Sequence, residues 1–397
     1  MTAPVLFEEL DCANGTRLGV ATLNAPQTLN GLTLEMAKLL AERLQVWAAD
    51  PGIALVLLKG AGEKAFCAGG DLHSLYRSMR ENTSGDPLAN DYARRFFETE
   101  YRLDYAIHVY PKPVLCWGTG IVMGGGIGLM AGASHRVVSE TSRLAMPEIT
   151  IGLFPDVGGS WLLGRMTGRS GLFLALTGAP LNASDAIFTG MADYRIHTED
   201  WDDVVADLLR QPWAMGGLDG DAAVTGRGVN DGLLERALRS HAPEEGGEHG
   251  PLRQHLFLIN TLCGGKTLED VADEIATLNG HEDPWLAKAA ATFAAGAPSS
   301  ARIAFTLQQR ARLMSLADAF RAEYWAALRC AADGDFAEGV RALLIDKDKK
   351  PRWHPRAIEE ADEAWVEPYF QPPWEPESHP MADLEQSGSP FFGVEKT

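Results

Sequence analysis

Short apolar runs and longer amphipathic segments alternate over the first two hundred residues. Four apolar runs have the length of strands, at residues 18–24, 54–59, 114–117 and 136–139. Helical segments are predicted between them, over residues 33–48 and 90–110. Strands that alternate with helices in this way indicate βαβ units and a largely parallel sheet covered on both faces. The pattern therefore predicts the α/β fold class.

The two predicted helices have recognisable ends. In the first, an apolar face repeats at helical spacing through Met36, Leu40, Leu44 and Trp47. Thr33 precedes this face and can cap the helix with its side-chain oxygen. The second helix should end before Pro111, because a proline restricts the residue that precedes it.

The character of the sequence changes after about residue 210, and we divide the chain accordingly. Residues 1–210 form the predicted α/β core. Residues 211–265 are rich in glycine and include the polar segment HAPEEGGEHGP, so a connecting loop region is expected there. Residues 266–355 are rich in helix-forming residues and predict a helical region. Residues 356–397 contain many prolines and acids and predict an irregular tail.

Net charge and cysteine content indicate which kinds of partner and which compartment to expect for this protein. The 397 residues carry a formal net charge of −19, which argues against nucleic acids and anionic membranes as partners. No apolar run is long enough for a membrane span, and the acidic N-terminus lacks the features of a targeting peptide, so a cytoplasmic location is expected. Five scattered cysteines without CxxC spacing predict free thiols in a reducing compartment and no metal site.

Two glycine-rich turns are candidates for exposing backbone amides to a ligand. One is Ala68-Gly69-Gly70-Asp71, between a predicted strand and a helix, where the Gly70 amide could face outward. The other is the triple glycine 124–126, where no side chain covers the Gly125 amide. Two such donors would form an oxyanion hole. Each turn also has a purely structural explanation, a helix cap at Asp71 and close backbone packing at the triple glycine.

Three acidic residues are candidates for acid/base or nucleophilic chemistry. Glu148 lies in the apolar segment AMPEITIGLF, where burial would raise its pKa into the range useful to a base. Asp156 follows closely and could bind a substrate hydroxyl, or could simply cap the next helix. Glu100 lies on the second predicted helix. Glu148 and Glu100 could equally be solvated surface charges.

Four motifs taken together resemble the crotonase superfamily, also called the enoyl-CoA hydratase/isomerase family. The segments LNAPQTLNGLTLEM, GEKAFCAGGDL, GIVMGGGIGL and AMPEITIGLFPDVGGSWLLGRMTG occur in the family's order between about residues 5 and 190. The resemblance implies a spiral core of ββα units with a C-terminal helical region. MPEITIGLFPDVGG and DFAEGVRALLIDKDKKPRWHP further resemble the branch of 3-hydroxyisobutyryl-CoA hydrolases.

The resemblance implies a role for each candidate. Gly70 and Gly125 match the oxyanion-hole amides, and Glu148 matches the catalytic glutamate. Asp156 and Glu100 match further acidic positions of the active site, and Asp156 is expected to be catalytic as well. The positions expected to bind substrate are Glu100, Asp156, Ala68, Gly70 and Gly125, with Lys64 and Lys347 as candidates for contacts to the phosphates of coenzyme A. Either lysine could instead be an ordinary surface residue. Coenzyme A would be part of the substrate, and no separate cofactor or metal is expected.

The absence of a glutamate at position 128 distinguishes the candidate activities from one another. Enoyl-CoA hydratases use two glutamates, and the position of the first is Gly128 in this chain. A single glutamate with Asp156 nearby favours cleavage of a short 3-hydroxyacyl-CoA thioester, with 3-hydroxyisobutyryl-CoA and valine degradation implied by the resemblance. A hydratase or isomerase using Glu148 as acid/base and a catalytically weak acyl-CoA binding protein remain as alternatives. Many members of this family form trimers, so a homo-oligomer is also an alternative for this chain.

Overall fold

A computed structural model describes residues 3–82, 84–215, 220–243 and 248–386. Its strands form two sheets. Their bounds are β1 Val5–Asp11, β2 Arg17–Leu23, β3 Ile53–Gly60, β4 Ala65–Cys67, β5 Val114–Trp117, β6 Ile121–Met123, β7 His135–Val138, β8 Arg143–Ala145 and β9 Tyr194–Arg195.

The larger sheet has the order β1-β2-β3-β5-β7-β9, and the smaller has the order β4-β6-β8. Only β1 pairs antiparallel to its neighbour, while every other pair in the two sheets is parallel. From β3 to β8, successive strands belong alternately to the larger and the smaller sheet, and helices follow each pair. The ββα spiral implied by the resemblance is therefore confirmed.

Helices cover the larger sheet and make up most of the second half of the chain. Their bounds are α1 Leu34–Ala49, α2 Leu72–Glu81, α3 Asp91–His108, α4 Gly125–Ala131, α5 Gly159–Leu163, α6 Ser170–Thr177, α7 Ala183–Thr189, α8 Trp201–Arg210, α9 Gly220–His241, α10 Pro251–Gln254, α11 Leu256–Leu262, α12 Leu268–Ala276, α13 Pro284–Ala295, α14 Pro298–Arg310, α15 Leu316–Asp333, α16 Asp335–Val340 and α17 Glu363–Val366. No helix of the described residues is long and apolar enough to cross a bilayer.

Most of the predicted elements of the core are confirmed. The four predicted strands correspond to β2, β3, β5 and β7, each within one residue of the expected bounds. The helix α1 has its apolar face buried, and the Thr33 hydroxyl accepts a hydrogen bond of 3.1 Å from the Met36 amide. The helix α3 ends at His108, before Pro111 as expected. The small sheet was missed, because strands of three residues are too short to show a period.

The expected loop region at 211–265 is wrong for most of its length, because α9, α10 and α11 lie within it. These helices form because they have apolar residues to bury, among them Leu234 and Leu238 on α9 and Ile259 on α11. The polar segment starting at His241 is the exception, since its described residues 242–243 and 248–250 are not helical. Residues 244–247 lie outside the described part.

The helical C-terminal region packs on the core of the same chain. Helix α15 lies against α3, where Phe320 contacts Tyr101 with ring centroids 5.7 Å apart. The Arg102 guanidinium on α3 donates to the Pro380 carbonyl (2.5 Å) and to Asp383 (2.8 Å), which ties the tail to the same helix. Residues 356–386 of the tail contain α17 and short 3₁₀ turns. Residues 387–397, the rest of the tail predicted to be irregular, lie outside the described part.

Candidate active site

The candidate site lies where the three strands of the small sheet end. The turn with Gly70 follows β4, the turn with Gly125 follows β6, and the segment that leads to Glu148 follows β8. Because these strands are parallel neighbours, their carboxyl ends lie at one edge of the sheet. Three separate sequence motifs are thereby brought together, which is the arrangement that ligand sites of α/β proteins commonly have.

The two candidate amides face a common space. A β-carbon placed on Gly125 would lie 3.6 Å from the Gly70 nitrogen. Gly125 is the first residue of α4, so its N–H has no partner within the helix. In the described hydrogen bonds the Gly70 N–H donates to no backbone carbonyl. Gly69 and Gly124 precede them with φ of 107° and 50°, conformations that favour glycine.

Glu148 begins a short 3₁₀ helix over Glu148–Ile151 and is 4% exposed. Its Oε1 lies 3.2 Å from where a β-carbon on Gly124 would be, beside the glycine turn. Its Oε2 is buried without a hydrogen-bond partner among the described residues. Burial, followed by the nearby charge of Asp156, raises the pKa of Glu148 well above its ordinary value. A solvated surface charge is therefore excluded at this position.

Asp156 is buried between the core and the C-terminal region. Its Oδ2 accepts a hydrogen bond of 2.7 Å from the Tyr101 hydroxyl. Burial raises the pKa of Asp156 to about 6, although the tyrosine hydrogen bond opposes this. Its side chain does not cap α5. Instead Glu323 on α15 accepts hydrogen bonds from the Gly158 amide (2.7 Å) and the Ser160 amide (2.9 Å).

Glu100 is 2% exposed and points from α3 toward the glycine turns. Its Oε1 contacts the position that a β-carbon on Gly125 would occupy and lies 4.0 Å from the corresponding position on Gly70. Burial is the main reason that the pKa of Glu100 is raised well above its ordinary value, and Asp156 and Glu148 add to it. The alternative of a solvated helix surface is wrong for this residue.

Three residues of the site were missed in the sequence. Asp104 lies on α3 one turn after Glu100, a helical spacing that could have flagged it once Glu100 was chosen. Tyr101 directly follows Glu100 in the chain, and no spacing signals its hydrogen bond to Asp156. Glu323 lies on α15, more than 160 residues from the turn that it holds, and no local pattern signals it.

A cavity of about 490 Å³ adjoins the first glycine turn. Lys64 lines it together with the loop that begins at Pro26, and the Lys64 side chain is exposed. Ala68 joins this loop to the site, since its amide donates to the Leu29 carbonyl (3.1 Å). Lys347 lies in the exposed turn after α16, beside Asp346 and Asp348. The roles of both lysines and of Ala68 stay predictions.

Gly128, on α4, leaves no room for a side chain. A β-carbon there would lie 2.5 Å from Oδ2 of Asp104 and 2.8 Å from the Val157 β-carbon. A glutamate at this position is therefore incompatible with the acid that reaches the same space from α3.

We expect Gly128→Ala to lower the free energy of unfolding by about 1–3 kcal/mol, because the added methyl group overpacks a buried contact. Urea denaturation followed by circular dichroism measures this. Gly228→Ala on α9 is the matched control, since a β-carbon at Gly228 would meet no atom within 4 Å. Equal stability of both variants would contradict the contact.

Comparison with known proteins identifies the family of the chain. A family model described as enoyl-CoA hydratase/isomerase matches residues 18–370. The chain is 37% identical over 352 residues to "3-hydroxyisobutyryl-CoA hydrolase, mitochondrial" of Xenopus laevis, an alignment that covers 89% of this chain and 86% of the relative. The protein of the same name from Homo sapiens is 33% identical over 367 residues, covering 92% and 88%.

Two solved structures are similar over nearly the whole chain. A carnitinyl-CoA dehydratase from Mycobacterium thermoresistibile has a TM-score of 0.79 and 35% identity, covering 94% of this chain and 97% of that one. An enoyl-CoA hydratase from Rhodobacter sphaeroides has a TM-score of 0.77 and 32% identity, covering 93% and 98%. The chain therefore belongs to the enoyl-CoA hydratase/isomerase family.

Proposed function

We propose that this protein hydrolyses a short-chain 3-hydroxyacyl-CoA thioester, with 3-hydroxyisobutyryl-CoA as the preferred substrate and 3-hydroxyisobutyrate and coenzyme A as products. The observation that carries the proposal is the placement of buried Glu148 beside the two amides of Gly70 and Gly125. The named relatives support the choice of acyl group, and that choice implies a step of valine degradation.

In the proposed mechanism the thioester oxygen lies between the amides of Gly70 and Gly125. Negative charge develops on this oxygen as the carbonyl carbon becomes tetrahedral, and two preset donors stabilise it. The Glu148 carboxylate either attacks the carbonyl carbon to give a mixed anhydride or takes a proton from an attacking water. The C–S bond then breaks, coenzyme A leaves as the thiol, and the anhydride of the first route is hydrolysed.

The other acids would recognise the acyl group. Glu100 faces the space beside the amides, and the Asp156 charge acts on both Glu100 and Glu148, so we assign both acids to the 3-hydroxyl of a short acyl chain. The Tyr101 hydroxyl holds one oxygen of Asp156 and leaves the other for the substrate. The cavity beside Lys64 adjoins the same turn and has room for part of the coenzyme A moiety. This reaction consumes only water and needs no metal or redox cofactor.

A thiol-release assay tests the proposal. Purified protein is given 3-hydroxyisobutyryl-CoA, 3-hydroxypropionyl-CoA and crotonyl-CoA, while free thiol and enoyl absorbance are followed separately. We expect fast thiol release from the hydroxyacyl substrates, with the branched one preferred, and little loss of enoyl absorbance from crotonyl-CoA. Rapid loss of enoyl absorbance without thiol release would overturn the proposal.

Hydration or dehydration is the second candidate, because the two similar solved structures are described as a dehydratase and a hydratase. The geometry favours hydrolysis instead. With glycine at 128, the acid that would pair with Glu148 across a double bond is missing from α4. Catalytic release of thiol in the same assay would also exclude the remaining alternative, a catalytically weak acyl-CoA binding protein.

The pH dependence of hydrolysis should report the raised pKa of Glu148. Glu148 must be ionised to attack or to accept a proton, so kcat/KM should rise with pH through that pKa, well above the ordinary glutamate value of about 4.3. Measurements of kcat/KM from about pH 4 to about pH 9 test this. In Asp156→Asn the residual activity should have its acid limb at lower pH, because a charge that raises the pKa of Glu148 is removed. An acid limb at the ordinary carboxyl pH would contradict the assignment.

A further inference from the structure

Asp104 is a fully buried carboxyl that the mechanism above does not use. It lies one helical turn after Glu100 on α3, so the two side chains share one face of the helix. Its exposed fraction is 0%, and neither of its carboxyl oxygens has a hydrogen-bond partner among the described residues. Such a group is rare in a folded protein, because removing an unpaired carboxylate from water is strongly unfavourable.

The surroundings of Asp104 contain further acids from every side. Glu100 is on the same helix, Asp156 follows the 3₁₀ helix of Glu148, and Glu323 faces it from α15. The Cys67 thiol on β4 lies close to Asp104 and Glu100, and burial raises the pKa of this thiol to about 12, so it stays neutral. His108 is one turn further along α3, and burial lowers its pKa to about 4, so it carries no compensating charge at neutral pH.

No cation of the described residues forms an ion pair with any of these acids. In the described part of the chain, no lysine or arginine forms an ion pair with Glu100, Asp104, Asp156 or Glu323. Arg102, which is also on α3, is turned away toward the tail, where it pairs with Asp383. Two carboxyls one turn apart in a buried site without a cation cannot both lose their protons near neutral pH. They titrate as a pair that keeps one proton.

The position of Glu100 gives that proton a function. The Glu100 carboxyl adjoins the Gly125 amide, so a negative charge on it would repel the oxyanion that the amide stabilises. We propose that Asp104 is a positioning residue whose charge is coupled to that of Glu100, so that the pair holds one proton and the carboxyl beside the oxyanion hole stays uncharged during turnover. No bond is made or broken in this coupling. The catalytic part of this inference rests on the proposed function.

Glycine at position 128 leaves the space that the Asp104 side chain occupies. Asp104 Oδ2 would be 2.5 Å from a β-carbon at position 128, so the acid on α3 fits only because α4 has glycine there. The glycine that removes the hydratase-type glutamate therefore also makes room for Asp104.

The first test compares the pH profiles of the wild type and Asp104→Asn. Asparagine keeps the shape of the neutral acid but cannot carry a charge. Glu100 then loses the neighbour that holds its proton, so the alkaline limb of kcat should move to lower pH by about one unit or more, while activity on the acid side stays within about threefold. Asp91→Asn, on the same helix with its side chain 86% exposed, is the matched control and should leave the profile unchanged. An unshifted alkaline limb, or an equal loss at every pH, would overturn the proposal.

The second test does not depend on activity or on the folding of the Asp104 variant. Infrared spectra of the wild type and of Glu100→Gln are compared across pH in the C=O stretching region of protonated carboxyls. The difference should show a protonated Glu100 band that persists above neutral pH. The absence of this band at neutral pH would refute the proposal that Glu100 holds the proton of the pair. A persistent band in a protein that fails to hydrolyse the thioesters would instead refute the proposed function and leave the pair intact.

Discussion

Replacing Glu148 with glutamine is expected to lower kcat for the hydroxyacyl-CoA substrate by about 10³-fold or more, the scale on which loss of a base or nucleophile acts. Glutamine has the shape of glutamate but can neither attack a thioester nor accept a proton from water. Glu148 is buried beside the glycine turn, and its Oε2 has no protein partner in the described chain, so this oxygen is available to the substrate or to water.

Binding of coenzyme A thioesters should survive in Glu148→Gln, since the cavity beside Lys64 is untouched. Isothermal titration with a slowly hydrolysed analogue measures the dissociation constant, and thiol release measures kcat. Glu35→Gln, an exposed position on α1, controls for the chemical change and should retain full activity. If Glu148→Gln kept full activity, the residue would have no part in the chemistry.

Alanine at position 125 should lower kcat/KM by about 10²- to 10³-fold, the loss typical of an impaired oxyanion hole. The new methyl group would lie 3.6 Å from the Gly70 nitrogen, in the space assigned to the thioester oxygen, and would contact Glu100. The backbone itself tolerates the change, because φ of Gly125 is not in the left-handed region.

Gly228→Ala is the control for Gly125→Ala, because it adds the same methyl group to a helix where no atom lies within 4 Å. Circular dichroism checks that both variants are folded, and the thiol-release assay gives kcat/KM for each. A fully active, folded Gly125→Ala would show that the thioester oxygen binds elsewhere.

The large sheet could be predicted because its strands are continuous apolar runs and its helices have regular apolar faces. The buried face of α1 and the N-cap at Thr33 are local features, because a few neighbouring residues determine each of them. The small sheet and α9–α11 could not be predicted in this way. The strands of the small sheet are three residues long, and the glycines near α9 weaken a helical pattern that becomes clear only once Leu234 and Leu238 have a surface to pack on.

The candidate site could be predicted where its residues belong to short glycine and proline motifs, as Gly70, Gly125, Glu148 and Asp156 do. Those motifs are recognisable because the backbone conformation at Gly69 and Gly124 limits which residues fit. The burial of Glu100 and Asp104 depends on how α3 packs against α15, which the sequence of α3 alone does not reveal. The same is true of Glu323, which acts on a turn far away in the chain.

The hydrogen bonds from the Gly158 and Ser160 amides to Glu323 should couple the unfolding of the two halves of the chain. The turn that carries Asp156 takes its amide acceptors from a helix encoded in the last quarter of the sequence. A polypeptide stopped before that helix would leave these buried N–H groups without acceptors, at a cost of about 1–3 kcal/mol each. Calorimetry should accordingly record one melting transition for both halves, and grafting the spiral alone onto another scaffold should yield an inert protein.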